Sequence, residues 1–179
     1  MSLPTNTASV PTVEAVASAL RHCACSAKHV VGVDGFMGSG KTKLALELAE
    51  SLGGIRISLD TYIDRDAEAQ DYPSKIMRDY LASDLQKLKG AFQFVVIEGI
   101  CLLEVLAPIS WVPDSLVYVK RISTAGLWHD GFHLEDFETN QSTVENHEGL
   151  HRSEFEYHSK WRPHERATVV YERVEDGAS

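Results

Sequence analysis

Three glycines, a lysine and a threonine fall within DGFMGSGKT, residues 34–42. Gly35 and Gly40 are separated by four residues, and Lys41 and Thr42 follow at once. Glycines at that spacing let the backbone curl so that N–H groups along Gly35, Phe36, Met37, Gly38, Ser39, Gly40, Lys41 and Thr42 converge on an anion. A helix that starts there adds the positive end of its dipole. The Lys41 ammonium neutralises charge on terminal phosphates, and the Thr42 hydroxyl is a hard oxygen ligand for Mg²⁺. The spacing is that of a complete Walker A motif, which binds nucleotide phosphates together with magnesium.

Two carboxylates complete a reactive set. Glu98 follows four apolar residues in FVVIEG, where a strand end would present it to the metal directly or through water. Asp60 follows ISL, and a carboxylate at that strand end can accept the proton of an attacking hydroxyl. Asp34 closes HVVGVD in the same way. All three acids are therefore expected in one crevice.

The elements that would position them follow from periodicity. Short apolar runs at 29–34, 55–59, 92–97, 116–122 and 167–171 read as five strands. Between them, Leu44, Leu48 and Leu52 mark a helix over 42–52 that Gly53 and Gly54 stop. Ile76, Met77, Tyr80, Leu81, Leu85 and Leu88 predict a second helix closed by Gly90, and Thr12 caps an earlier one carrying Val13, Val16, Ala17 and Leu20. Strands alternating with helices imply right-handed crossovers: a three-layer α/β fold of P-loop NTPase type, its mostly parallel five-stranded sheet covered on both faces. Ligands then bind beyond the carboxyl ends of the strands. Residues 1–11, rich in Ser, Thr and Pro, are expected to be loose, with 12–179 a single domain in which 123–165 forms a lid or helical insert.

Composition narrows the function. The chain has 179 residues, 44% of them hydrophobic and 24% charged, with a net charge of −9. That charge leaves no broad footprint for nucleic acid or an anionic membrane. No run is long enough to cross a bilayer, and the N-terminus lacks a basic segment followed by an apolar one, so the cytoplasm is the expected compartment. Cys23, Cys25 and Cys101 make a poor disulfide framework and are read as ordinary thiols.

The stretches GVDGFMGSGKTKLALELA, ISLDTYID, FVVIEGICLL and YHSKWRPHERATVVY together resemble the uridine kinase and phosphoribulokinase group of P-loop kinases over most of residues 28–172. The resemblance implies Asp60 as catalytic base, Tyr62 as an acceptor contact and Glu98, before Gly99, as a magnesium ligand. It also implies that Tyr157, Pro163, Arg166 and Ala167 match a pattern preceding the last strand. Two departures stand out. The connection into FQFVVIEG is short, LKG at 88–90, and residues 123–150 contain no arginine. Lys120, Arg121, Arg152, Arg162 and Arg166 are then the cations left to serve a lid, with Arg162 and Arg166 placed on the nucleotide.

His147-Glu148-Gly149-Leu150-His151 matches HExxH, the zinc protease pattern. Gly149 weakens the helix that pattern needs and Glu154 stands where one extended form has glycine, so the match is read as incidental. Trp128, Phe132, Phe137, Phe155, Tyr157 and Trp161 are read as a small core.

The expected function is transfer of the γ-phosphoryl group of MgATP to a hydroxyl of a small nucleoside-like or sugar-like metabolite, with Lys41 and Asp60 catalytic and Thr42 and Glu98 on the metal. The alternative is a nucleotide-binding regulatory protein with slow hydrolysis and no acceptor. Whether the chain forms a homo-oligomer is left open.

Overall fold

The computed structural model describes residues 8–24, 27–69, 71–139 and 150–175. In chain order the elements are β1 (Ala8–Val10), α1 (Val13–Cys23), β2 (His29–Asp34), α2 (Lys41–Leu52), β3 (Ile55–Ser58), α3 (Arg78–Ala91) and β4 (Phe94–Glu98). There follow α4 (Leu102–Leu106), β5 (Ser115–Ile122), α5 (Gly131–Thr139), α6 (Leu150–Trp161), α7 (Pro163–Arg166) and β6 (Val169–Val174). The strands form one parallel sheet in the order β1-β6-β5-β2-β4-β3.

Alternation along the central strands divides the core. On one face, Val31 and Val33 of β2, Phe94 and Val96 of β4 and Val117 and Val119 of β5 pack against Val16, Ala17 and Leu20 of α1 and Leu44, Leu48 and Leu52 of α2. On the other, Val30, Val95, Ile97 and Leu116 meet Leu81 and Leu85 of α3, Leu102 and Val105 of α4, and Tyr157 of α6. Strands buried on both faces need apolar residues at every position, which is why HVVGV and FVVI read as continuous runs.

Thr12 caps α1 as expected, its hydroxyl accepting from the Ala15 N–H at 3.2 Å. The sheet has six strands where five were expected. The extra one, β1, lies within the stretch read as loose; it pairs Ala8, Ser9 and Val10 with Val169, Val170 and Tyr171. A three-residue edge strand held by backbone bonds leaves almost no side-chain signal. The helix before β4 also starts later and ends later than periodicity implied. Ile76 precedes it, in an isolated bridge to Ile63, Tyr80 is 68% exposed, and Gly90 lies inside it.

Of the aromatic set, Phe155 packs with Phe36 and Leu134, flanked by Trp128 and Phe137, while Tyr157 joins the larger core with Trp161 beside it. Phe132 is 74% exposed. Cys23 is exposed and Cys101 buried; Cys25 lies outside the described residues. No helix among the described residues is long and apolar enough to cross a membrane.

Because Leu48 is fully buried between α2 and the sheet whereas Leu46 on the same helix faces solvent, Leu48→Ala is expected to lower unfolding free energy by about 2–5 kcal/mol. Leu46→Ala should stay within about 0.5 kcal/mol of wild type in the same urea titration.

Candidate phosphoryl-transfer site

Strand β2 runs between β4 and β5, and the chain leaves its carboxyl end at the point where connections depart to opposite sides of the sheet. Residues 35–40 turn there into α2. Gly35 adopts φ +149°, and a Cβ on it would lie 2.7 Å from the Val119 carbonyl oxygen; Gly40, preceding α2, is left-handed at φ +100°. Only glycine serves both demands, a close backbone approach at one end and a positive φ at the other.

The loop is held from beneath by one face of α6. Glu154 accepts the Met37 N–H at 2.7 Å, and Tyr157 donates its hydroxyl to Asp34 Oδ2. His158 stacks on the Phe36 ring with centroids 3.7 Å apart. Positions i, i+3 and i+4 share a helix face, so a single helix orientation delivers all three contacts. His158 Nδ1 donates to the Glu154 carbonyl at 2.8 Å, and burial pushes its pKa down to about 3, so the ring that supports the loop is neutral.

Asp34 therefore does not open into the crevice as expected. Its carboxylate is fully buried under the loop, with Oδ1 accepting the Gly35 N–H at 2.7 Å. Burial pushes its pKa up to about 7, against the opposing hydrogen bonds from Tyr157 and Gly35. Lys41 is buried too, and its Nζ donates to the Phe36 carbonyl at 2.7 Å across the loop; burial lowers its pKa, while Asp34 and Glu154 oppose that shift.

Above the loop lies a cleft of about 460 Å³. It is lined by Met37, Gly38, Lys41, Thr42, Glu98, Gly99 and Ile100 together with Asp60, Ile63, Arg65 and Tyr72. Glu98 is buried; its Oε2 accepts from the Thr42 hydroxyl at 3.3 Å, while Oε1 is held by Arg56 at 2.5 Å. Two hard oxygens side by side suit Mg²⁺, which keeps several waters and needs few protein ligands. The loop fits a polyphosphate: it leads into the N-terminus of α2, and the buried Ser39 hydroxyl has no hydrogen-bond partner among the described residues.

Asp60 lines the cleft from the 3₁₀ turn Leu59–Tyr62, and Tyr72 donates its hydroxyl to Asp60 Oδ1 at 2.7 Å. The structure thus brings Lys41, Thr42, Asp60 and Glu98 onto one cleft. Tyr62 is absent from its lining. That side chain is buried in the core cluster, and its hydroxyl donates at 3.0 Å to Asp84 of α3. A residue two positions beyond Asp60 within a 3₁₀ turn points to another side, and the aromatic facing the cleft is Tyr72, which no local periodicity marks.

Arg162 and Arg166 also lie elsewhere. Arg162 is exposed and paired with Glu165 at 2.8 Å and Glu138 at 3.7 Å, and Arg166 reaches the Trp161 carbonyl. The arginines beside the loop are Arg173 and Arg121. Arg173 Nη1 donates to the Ser39 carbonyl at 3.1 Å, and Arg121 Nη1 lies 3.9 Å from where a Cβ on Gly38 would stand. Both come from the carboxyl ends of β5 and β6, so strand position relative to the Walker motif was the usable signal. Glu148 and its neighbours 147 and 149 lie outside the described residues, and among those described no group of three or more His, Cys, Asp or Glu is placed to hold a metal.

No family model matches the chain, and no curated protein does. Solved structures with the same fold do. A protein from Bacillus stearothermophilus, provisionally assigned as a uridine kinase, superposes with a TM-score of 0.58 at 17% identity over 89% of this chain and 96% of the other. One from Silicibacter sp. TM1040, provisionally assigned as a fructose transport system kinase, gives 0.53 at 14% identity over 93% of this chain and 100% of its own. The fold is the α/β P-loop fold those kinases share.

The Asp34 carboxyl supplies a pH test. Its folded pKa lies above its unfolded value, so the folded state binds the extra proton between about pH 4 and 7, and this contribution to stability is lost as pH rises through that window. Relative to Asp34→Asn, wild type should lose unfolding free energy from pH 4 to pH 7, measured by denaturant titration at each pH.

Proposed function

We propose that the protein is a P-loop phosphotransferase that moves the γ-phosphoryl group of MgATP to a hydroxyl of a small metabolite. The observation that carries this reading is the placing of Asp60 on one cleft with Lys41, Thr42 and Glu98. A protein that only bound nucleotide would have no use for an oriented carboxylate there, and Tyr72 holds this one in place.

In this reading the loop amides, the α2 N-terminus and Lys41 bind the phosphates. Lys41 brings a buried positive charge into the loop, and in a dehydrated site such a charge is worth more than in water. Magnesium, held by Thr42 and Glu98, would supply neutralisation of the phosphate oxygens. Arg56 fixes the Glu98 carboxylate from behind, leaving Oε2 on the Thr42 side.

Asp60 takes the proton of the acceptor hydroxyl as its oxygen forms a bond to the γ-phosphorus and the bond from that phosphorus to the ADP oxygen breaks. Tyr72 donates to Oδ1, so it orients the carboxylate and leaves Oδ2 for the acceptor. Tyr72 is buried, and its hydroxyl pKa is raised by burial first and by Asp60 second, which keeps it a donor at every working pH. Phosphoryl transfer asks the protein mainly for positioning and charge stabilisation, and these groups provide both.

Asp60→Asn keeps the side-chain shape and removes the base. It is expected to lower acceptor-dependent ADP release by at least about 10², while the calorimetric affinity for MgATP changes less than about twofold. Wild-type ATP loss that is indifferent to every hydroxyl compound offered, or normal transfer by Asp60→Asn, would count against phosphotransfer through this residue.

A further inference from the structure

The lining of the cleft includes one residue the phosphate chemistry does not use. Arg65 lines the cleft together with Asp60, Ile63 and Tyr72. Its side chain is exposed, and no carboxylate among the described residues lies within ion-pair distance of it.

The backbone beneath Arg65 is pinned on both sides. Ile63 bridges Ile76, the Asp64 N–H donates to the Lys75 carbonyl at 2.7 Å, and Asp64 Oδ1 accepts the Asp66 N–H at 3.0 Å. The backbone that carries the side chain is thus fixed, and the Asp64 carboxylate next to it already accepts within the turn. A guanidinium matches carboxylate or phosphate in a planar, two-point geometry.

From this lining we infer that the acceptor is itself an anion: a small hydroxy compound bearing a carboxylate or phosphate that Arg65 binds while its hydroxyl meets Asp60. The inference rests on the phosphotransfer reading and names the substrate class for the same cleft. Ile63, Ile100 and the Tyr72 ring supply an apolar surface for the carbon skeleton between the two ends. A cleft of about 460 Å³ that must also admit the γ-phosphate leaves room for a compact molecule.

The test uses matched acceptors with and without the anionic group: D-glycerate against glycerol, D-gluconate against D-glucose, ribose 5-phosphate against ribose and glycerol 3-phosphate against glycerol. ADP release with MgATP is measured for wild type, Arg65→Ala and Arg65→Lys, and binding of the same probes is measured by calorimetry with a non-hydrolysable MgATP analogue present. The expected result is a lower KM for the charged member of at least one pair. Losing a charge-assisted contact should raise that KM about 10- to 100-fold in Arg65→Ala and erase the preference within the pair, with partial recovery in Arg65→Lys. Which pair responds separates carboxylate from phosphate.

Neutral members used as well as charged ones would overturn the inference while leaving phosphotransfer standing. An equal fall in kcat for both members in Arg65→Ala would overturn it too, and would assign Arg65 to the transferring phosphoryl group. Charged probes that bind in an Arg65-dependent way without any ADP release would support the anion site and sink the phosphotransfer reading. Absence of both binding and turnover across all pairs would sink both.

Discussion

The six-residue loop between β2 and α2 makes no ladder bonds, so something outside it must hold its shape. In this protein that constraint is met by the face of α6 carrying Glu154, Tyr157 and His158, set against Met37, Asp34 and Phe36. The three contacts differ in kind: a carboxylate on an amide, a hydroxyl on a carboxylate and a ring on a ring. Together they bind the last third of the chain to the 34–37 segment. The central sheet supplies the other support, because β2 is buried between β4 and β5 and delivers the loop at a fixed height above both.

Besides Glu98, which Arg56 pairs, the arrangement places buried Asp34 and Glu154 next to a site for polyanions, which would be self-defeating if both were ionised and unbalanced. The chemistry resolves this in three ways. Asp34 carries hydrogen bonds from Tyr157 and Gly35, and burial raises its pKa to about 7, so at neutral pH much of it is uncharged. Glu154 is engaged by the Met37 amide. Lys41 lies close enough to both for each to raise its pKa against the opposing effect of burial. Net charge over the whole chain says nothing about this local balance, which is why an acidic protein can carry a phosphate cradle.

Much of the site could be read from residue types and spacing. The Walker spacing determines a strand, a turn and a helix, and apolar runs ending in Asp60 and Glu98 place both acids at carboxyl ends on one side of a parallel sheet. Legibility stopped where geometry depends on side-chain direction or on distant backbone. Asp34 ends a strand exactly as Glu98 does, yet the loop folds back over it. Tyr62 is close to Asp60 in sequence but is turned to Asp84, whereas Tyr72 arrives from a later turn with no periodic mark. Arg162 and Arg166 were attractive as basic residues in a resembling motif, but local acids and a local ring occupy them; Arg121 and Arg173, near the ends of β5 and β6, lie against the loop. The edge strand β1 escaped because three backbone-paired residues need no hydrophobic pattern.

The claim on which everything else rests is that residues 35–42 cradle nucleotide phosphates. Thermal melting of wild type and Lys41→Ala with and without millimolar MgATP tests it most directly. Ligand at 100 times its dissociation constant should stabilise wild type by about 2.7 kcal/mol. Lys41→Ala should lose most of that gain. A wild-type melting curve unmoved by MgATP, in protein that unfolds cooperatively, would contradict the cradle.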